Sequence, residues 1–405
     1  MSPLYVLMIG ISGGLGAGVN SLLSRCLGAQ RYEEIDNIVI HALIITVAIS
    51  IPIMIIGVVG LDDIINLLNA SEISSYCRSY GEIIFLCNIV FLLSNVFASV
   101  FRAEGYVGKA TIPFILTSIL NIVLDPILIY TFNLGVFGAS LATVLSYFLG
   151  ILVMLYWILV KKDTSFKFKF KKYVRNIKIY KNILSVSIPS ATQEVVYGLT
   201  IIVLNLLIII TSNLEELYAF GIAWKIISIA FFPCMGVGTA AITVAGILYG
   251  ARNPDGFKQT ILYSTLLSLT LTLLFCSAFY IFSYQICSLF TALGADVSLI
   301  NSAAEIVRYM VFFNCLISLG SMAEFIYQGI GQGLKSLALT ILREIILCMF
   351  GAYLMGIIFK MSVFGVYSGA ILGINLGSIF GFICILIYNW KFEKEIEEQI
   401  SEQIV

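Results

Sequence analysis

Long apolar stretches recur along the whole chain, and they leave little choice of fold. A helix needs about 20 apolar residues to cross the hydrocarbon of a bilayer. Eleven stretches reach roughly that length: 3–24, 38–60, 80–101, 110–132, 136–160, 183–211, 218–246, 258–284, 306–328, 335–358 and 363–389. None alternates polar and apolar residues over about ten positions, as barrel strands do. In lipid the backbone must satisfy its own hydrogen bonds, which a helix does within itself. The sequence therefore predicts an all-α polytopic membrane protein with eleven membrane helices. At 60% hydrophobic and 11% charged residues, the chain lacks the polar surface of a soluble protein of 405 residues.

Charge fixes the expected orientation. The stretch 161–182 holds nine Lys or Arg and one Asp, and cytoplasmic loops are the ones enriched in basic residues. Counting crossings from this linker places Arg25, Arg31, Arg102, Lys109, Arg252, Lys335, Lys391 and Lys394 on the same side. The acidic residues Asp62, Asp63, Glu72, Glu215, Glu216 and Asp296 fall opposite. The predicted organisation is an N-terminal lobe of five helices (1–160), a basic cytoplasmic linker (161–182), a C-terminal lobe of six helices (183–390) and a cytoplasmic tail (391–405). The expected location is the cell (plasma or inner) membrane. A net charge of zero gives no nucleic-acid signature.

The chain also repeats itself. Residues 14–30 resemble 236–252, 67–74 resemble 293–300, 101–105 resemble 325–329, and 135–150 resemble 362–377. The offsets run from 222 to 227 positions. The two copies are unequal, because the partner of 183–211 would lie about 40 residues before Met1. The expectation is a twelve-helix design minus its first helix. Six helices per unit is an even number, so the two lobes are parallel repeats.

Several segments resemble the multidrug and toxic compound extrusion (MATE) transporters. They are SRCLGAQ (24–30), FRAEGYVGKA (101–110), ILNIVLDP (119–126), GVFGASLATVLS (135–146), PSATQ (189–193), the Pro233–Gly236 turn, YGAR (249–252) and ILRE (341–344). The resemblance implies two six-helix lobes with alternating access. It also implies export of organic cations or other amphipathic compounds in exchange for inward sodium or protons. Members with Asn-x-x-x-Asp usually pair that aspartate with an acidic residue on the first helix, which is absent here.

Ionisable residues inside apolar helices are the functional candidates, since each costs about 2.5–3.5 kcal/mol at mid-helix on insertion scales. Asp125 is the first. Asn121 lies four positions earlier, on the same helix face, and Pro126 removes the hydrogen bond that would reach the Ile122 carbonyl. That turn offers a carboxylate, an amide and a freed carbonyl for a cation. Glu194 lies two turns into the helix 183–211, with Tyr197 one turn on and Asn205 farther along; these are candidates for coupling or substrate contact. Lys225, Glu324 and Arg343 suggest structural pairing or a proton relay, with Glu324 meeting Lys225 or Arg343. Arg343 and Glu344 are neighbours, about 100° apart on an α-helix, which argues against their pairing. His41, the only histidine, is expected to pack rather than sense pH.

These readings make the chain a transporter and not an enzyme: an ion-coupled antiporter for small amphipathic molecules. It would act as a monomer in the lipid bilayer, with no cofactor beyond its coupling sodium ion or proton. A flippase for lipid-linked oligosaccharides would want more basic residues in its cavity than Lys225 and Arg343. A non-transporting truncated paralogue is the other alternative.

Overall fold

A computed structural model describes residues 2–67, 71–167, 173–290, 297–313 and 315–404. Helices dominate throughout, and there is no strand among the described residues. The chain forms two compact units, 1–191 and 192–405. The division falls inside a helix and not in the basic linker, where the sequence placed it.

The first unit contains α1 (Ser2–Gly28), α2 (Ile35–Val59), α3 (Leu61–Leu67), α4 (Ser74–Leu86), α5 (Asn88–Ala103), α6 (Val107–Pro126), α7 (Gly135–Tyr156) and the start of α8 (Ile177–Thr211). α1 packs along α5, and α6 packs along α7. α4 and α5 form one span bent by 46°. At the bend the Asn88 amide donates to the carbonyls of Ser50 and Phe85, taking up a carbonyl that the interrupted helix releases.

The first fifteen residues of α8 belong to the first unit for a steric reason. A Cβ at Gly14 would lie 2.7 Å from the Ala191 nitrogen and from the Ser187 carbonyl oxygen. Only glycine allows that approach of two backbones. The linker is tied to the same unit. Lys109 bonds Asp163 at 2.9 Å, and the Ser165 and Lys167 backbone N–H groups donate to Glu104 and Asp36. His41 is buried: its Nδ1 lies 2.7 Å from the Asn37 carbonyl oxygen, and its Nε2 accepts from the Asn176 backbone N–H at 3.0 Å. Tyr173 and Tyr180 pack against its ring.

The second unit holds the rest of α8, then α9 (Leu214–Ala230), α10 (Phe232–Gly250), α11 (Pro254–Ile281), α12 (Ser283–Ser288), α13 (Val297–Phe313), α14 (Ile317–Gly329), α15 (Gly333–Thr340), α16 (Phe350–Tyr353) and α17 (Ser362–Ile404). The stretch 218–246, read as one helix, breaks at Phe231 between α9 and α10. Pro233 follows at the start of α10, where its missing N–H costs nothing. Asn253 caps α11, accepting from the Gly256 N–H at 2.8 Å.

The internal repeat reappears as packing. α10 lies on α14 as α1 lies on α5, and α11 lies on α14 as α2 lies on α5. The repeat positions Ala70 and Ala295, and the loop residue Asp296, lie outside the described residues. Among the described residues, eight helices are long and apolar enough to cross a membrane, nine with the bent α4–α5 pair. Of the eleven predicted stretches, 3–24 and 306–328 are the two outside that count. The second of these coincides with the separate helices α13 and α14.

Candidate functional site

Two polar places are built into the apolar helices, one in each unit. In the first unit, Asp125 and Asn121 sit on α6 above the proline turn. Pro126 does not end the helical winding. The chain passes into a π-helical turn over Ile127–Thr131, a wider winding common at functional sites. The Asn121 Nδ2 donates to Asp125 Oδ1 at 3.2 Å and to Thr143 Oγ1 at 3.4 Å. Thr143, on α7, in turn donates to the Ala139 carbonyl.

These three side chains line a cavity of about 350 Å³ with Tyr80, Phe114 and Tyr147. Asp125 is half-buried and has no basic partner among the described residues. The cavity thus presents hard oxygen donors, one of them charged, between aromatic walls. Oxygen donors of this kind suit hard cations, and the carboxylate can also take a proton. Thr143 and Tyr80 were not singled out in the sequence. The i+4 rule finds partners on one helix, whereas these come from α7 and α4.

In the second unit, the charged residues converge on the segment Ile341–Met349, which winds as a π-helix. Arg343 is 1% exposed and Glu324 4% exposed, so both charges are fully withdrawn from solvent. The guanidinium meets the Glu324 carboxylate in a fork, Nη1 to Oε1 at 3.2 Å and Nη2 to Oε2 at 3.4 Å. Its Nη2 also donates to the Tyr197 hydroxyl at 3.0 Å, and that hydroxyl donates to Glu324 Oε2 at 3.2 Å. Nε donates to Glu344 Oε1 at 3.1 Å. Arg343 and Glu344 therefore do pair, contrary to the argument from α-helical spacing. A π-helix turns less per residue, so adjacent side chains lie closer together around the axis.

Beside this cluster, the Gln193 amide donates to Ser336 and Thr340 and accepts from Gln328 at 2.8 Å. All four residues are buried. In the sequence Gln193 stands only as the last residue of PSATQ (189–193), and Gln328 is not singled out.

Lys225, Glu194 and Asn205 stand apart from these bonds. Lys225 is exposed on α9, with its Nζ 6.0 Å from the Phe290 ring centroid and no carboxylate partner among the described residues. Tyr197 faces the Glu324–Arg343 pair. No hydrogen bond among the described residues joins Glu194 or Asn205 to the cluster, although Glu194 lies one turn before Tyr197.

Comparison with known proteins gives this geometry a setting. The MatE family pattern matches residues 1–127 and 189–354. The multidrug export protein MepA of Staphylococcus aureus (strain NCTC 8325 / PS 47) is 24% identical over 372 residues, covering 91% of this chain and 79% of that protein. The probable multidrug resistance protein YoeA of Bacillus subtilis (strain 168) is 26% identical over 299 residues, 71% of this chain and 64% of that protein. Among solved structures, an outward-facing multidrug resistance MATE family transporter of the MOP superfamily superimposes with a TM-score of 0.93. It is 29% identical and spans 97% of this chain and 87% of its own.

Proposed function

The chain belongs to the MatE family of membrane transporters, and from that membership we propose that it exports small amphipathic molecules, organic cations above all, in exchange for inward sodium or protons. The observation that carries the proposal is the Asn121–Asp125–Thr143 group in its aromatic-walled cavity.

In this reading Asp125 is the group that takes up the coupling cation. A carboxylate in an apolar helix, without a basic partner, is costly unless a cation or proton neutralises it. The Asn121 amide occupies one carboxylate lone pair, so a cation would enter in competition with that donor. Exchange requires the cation to bind one conformation better than another, since equal affinity shifts nothing. Pro126 and the π turn after it supply a section of α6 whose backbone is not fully hydrogen-bonded, where a change of winding is least costly. The drug-export names of MepA and YoeA support the substrate class.

The Arg343–Glu324 pair has a different part in this scheme. Its carboxylate already has a guanidinium in a fork, so it serves as a brace for α14 against the π segment.

The test is efflux of a fluorescent organic cation from cells expressing the protein. Asp125→Asn should abolish gradient-driven efflux while the variant reaches the membrane in normal amount. Undiminished efflux by that variant would sink the assignment.

A further inference from the structure

A third polar place lies in the second unit, and it shares no residue with the Arg343 cluster. It is a cavity of about 420 Å³ between α14, α15 and α17, lined by Tyr327, Lys335, Ile387, Tyr388, Lys391 and Glu395 among others. The Lys335 ammonium sits 4.6 Å from the Tyr388 ring centroid and 5.9 Å from that of Tyr327. Both tyrosine hydroxyls are committed elsewhere, Tyr327 to the Cys384 carbonyl and Tyr388 to the Tyr249 hydroxyl. The rings therefore hold Lys335 in place without neutralising it. Among the described residues no ion pair reaches Lys335, Lys391 or Glu395.

The position of the cavity along the chain is informative. α17 has 43 residues, about 65 Å at 1.5 Å per residue, twice the hydrocarbon thickness. Its apolar run ends near Tyr388, and the sequence then reads Trp390-Lys391-Phe392-Glu393-Lys394-Glu395. Trp390 is 54% exposed, and the Lys394 ammonium covers its ring at 4.1 Å. An exposed tryptophan followed by charges is the mark of a membrane interface. The cavity mouth is therefore at headgroup depth, with the exposed side chain of Ile387 on the hydrocarbon side.

We propose that this cavity binds the headgroup of an aminophospholipid, a phosphodiester bearing a primary ammonium. Lys335 and Lys391 take the phosphate, and Glu395 takes the ammonium. Two cations alone would suit any phosphate. The single carboxylate beside them selects a headgroup that also carries a hydrogen-bonding positive charge. Acyl chains leave along Ile387 into the bilayer.

Native mass spectrometry of the detergent-purified full chain tests this with short-chain phosphatidylethanolamine, phosphatidylglycerol and glycerophosphoethanolamine as probes. The wild type should retain phosphatidylethanolamine in preference to phosphatidylglycerol. Lys335→Ala with Lys391→Ala should weaken retention of both by about tenfold or more. Glu395→Gln, an exposed change that leaves folding alone, should abolish the preference while keeping phosphatidylglycerol bound. Phosphatidylethanolamine retention untouched by the double lysine variant overturns the site. A preference that survives Glu395→Gln overturns the role of the carboxylate. Glycerophosphoethanolamine binding as tightly as the lipid overturns the membrane source in favour of a soluble phosphodiester.

Discussion

Arg343 donates from Nε to Oε1 of Glu344 across 3.1 Å, although the two residues are neighbours in the sequence. The same guanidinium forks onto Glu324, on another helix. One cation thus serves two carboxylates, all three less than 6% exposed. Glycine is required behind it: a Cβ at Gly377 would lie 2.8 Å from the Arg343 Cα. α17 can press against the π segment there only because Gly377 has no side chain.

Arg343→Met should be far more damaging than removing the whole pair. It strands Glu324 and Glu344 without a counter-charge, and breaking a buried pair from one side costs about 3–5 kcal/mol. Arg343→Met combined with Glu324→Gln should recover much of that loss. Thermal melts of detergent-purified protein measure it. A double variant as unstable as Arg343→Met alone would show that the pair contributes nothing through charge.

Glu104, in the turn between α5 and α6, gives a pH prediction. Burial pushes its carboxyl above the usual carboxylate range, although the Ser165 and Phe166 backbone N–H groups and Lys109 pull the other way. A raised folded-state value means that the fold favours the protonated form. The stability linked to Glu104 is therefore fully present below the unfolded value and is lost as pH rises through the folded one. Glu104→Gln keeps an acceptor for Ser165 and removes the charge. The variant should melt at or above the wild type at neutral pH, with the difference shrinking as the pH falls. A difference that grows on acidification contradicts the sign.

The membrane fold, the repeat and the Asn121–Asp125 turn were legible because each rests on local pattern. Apolar run length sets the helices, and spacing of four sets the shared face of Asn121 and Asp125. The Arg343–Glu344 pair was not legible. Its contact depends on π winding, and nothing in ILREIILCM distinguishes that from an α-helix. The choice between Lys225 and Arg343 as the partner of Glu324 was not legible either: on α9 Lys225 is exposed, and it meets no carboxylate among the described residues. The unit boundary within α8 follows from the fit of Gly14 against Ser187 and Ala191, a contact 173 positions apart between the first two.

His41 ties the linker to α2 through one hydrogen bond that no other residue type copies well. Its Nε2 accepts from the Asn176 N–H, while Nδ1 faces the Asn37 carbonyl. His41→Ala should free the chain around Arg175 and Lys178 and leave a cavity between Tyr173 and Tyr180. Limited trypsin digestion reads this directly. Cleavage at those two residues should become several-fold faster in the variant, with the rest of the digestion pattern unchanged. Equal rates would mean that the segment is held without His41, by contacts such as the two hydrogen bonds between Asn37 and the Val174 backbone.

Ion binding at Asp125 can be tested without any transport assay. A ligand that binds the folded state alone stabilises it by about 2.7 kcal/mol at 100 times its Kd. Sodium should therefore raise the melting temperature of the wild type above that seen in equal choline. Asp125→Asn should erase the difference, because the one charged donor among the described residues lining the cavity is gone. Thr143→Val should reduce it without erasing it. Thr143 lends one neutral oxygen, and the Asn121 amide that it accepts from can still reach Asp125. A sodium shift that persists in Asp125→Asn would move the ion elsewhere in the chain. A wild type indifferent to sodium, with an acid-induced stabilisation that Asp125→Asn removes, would assign the same carboxylate to protons.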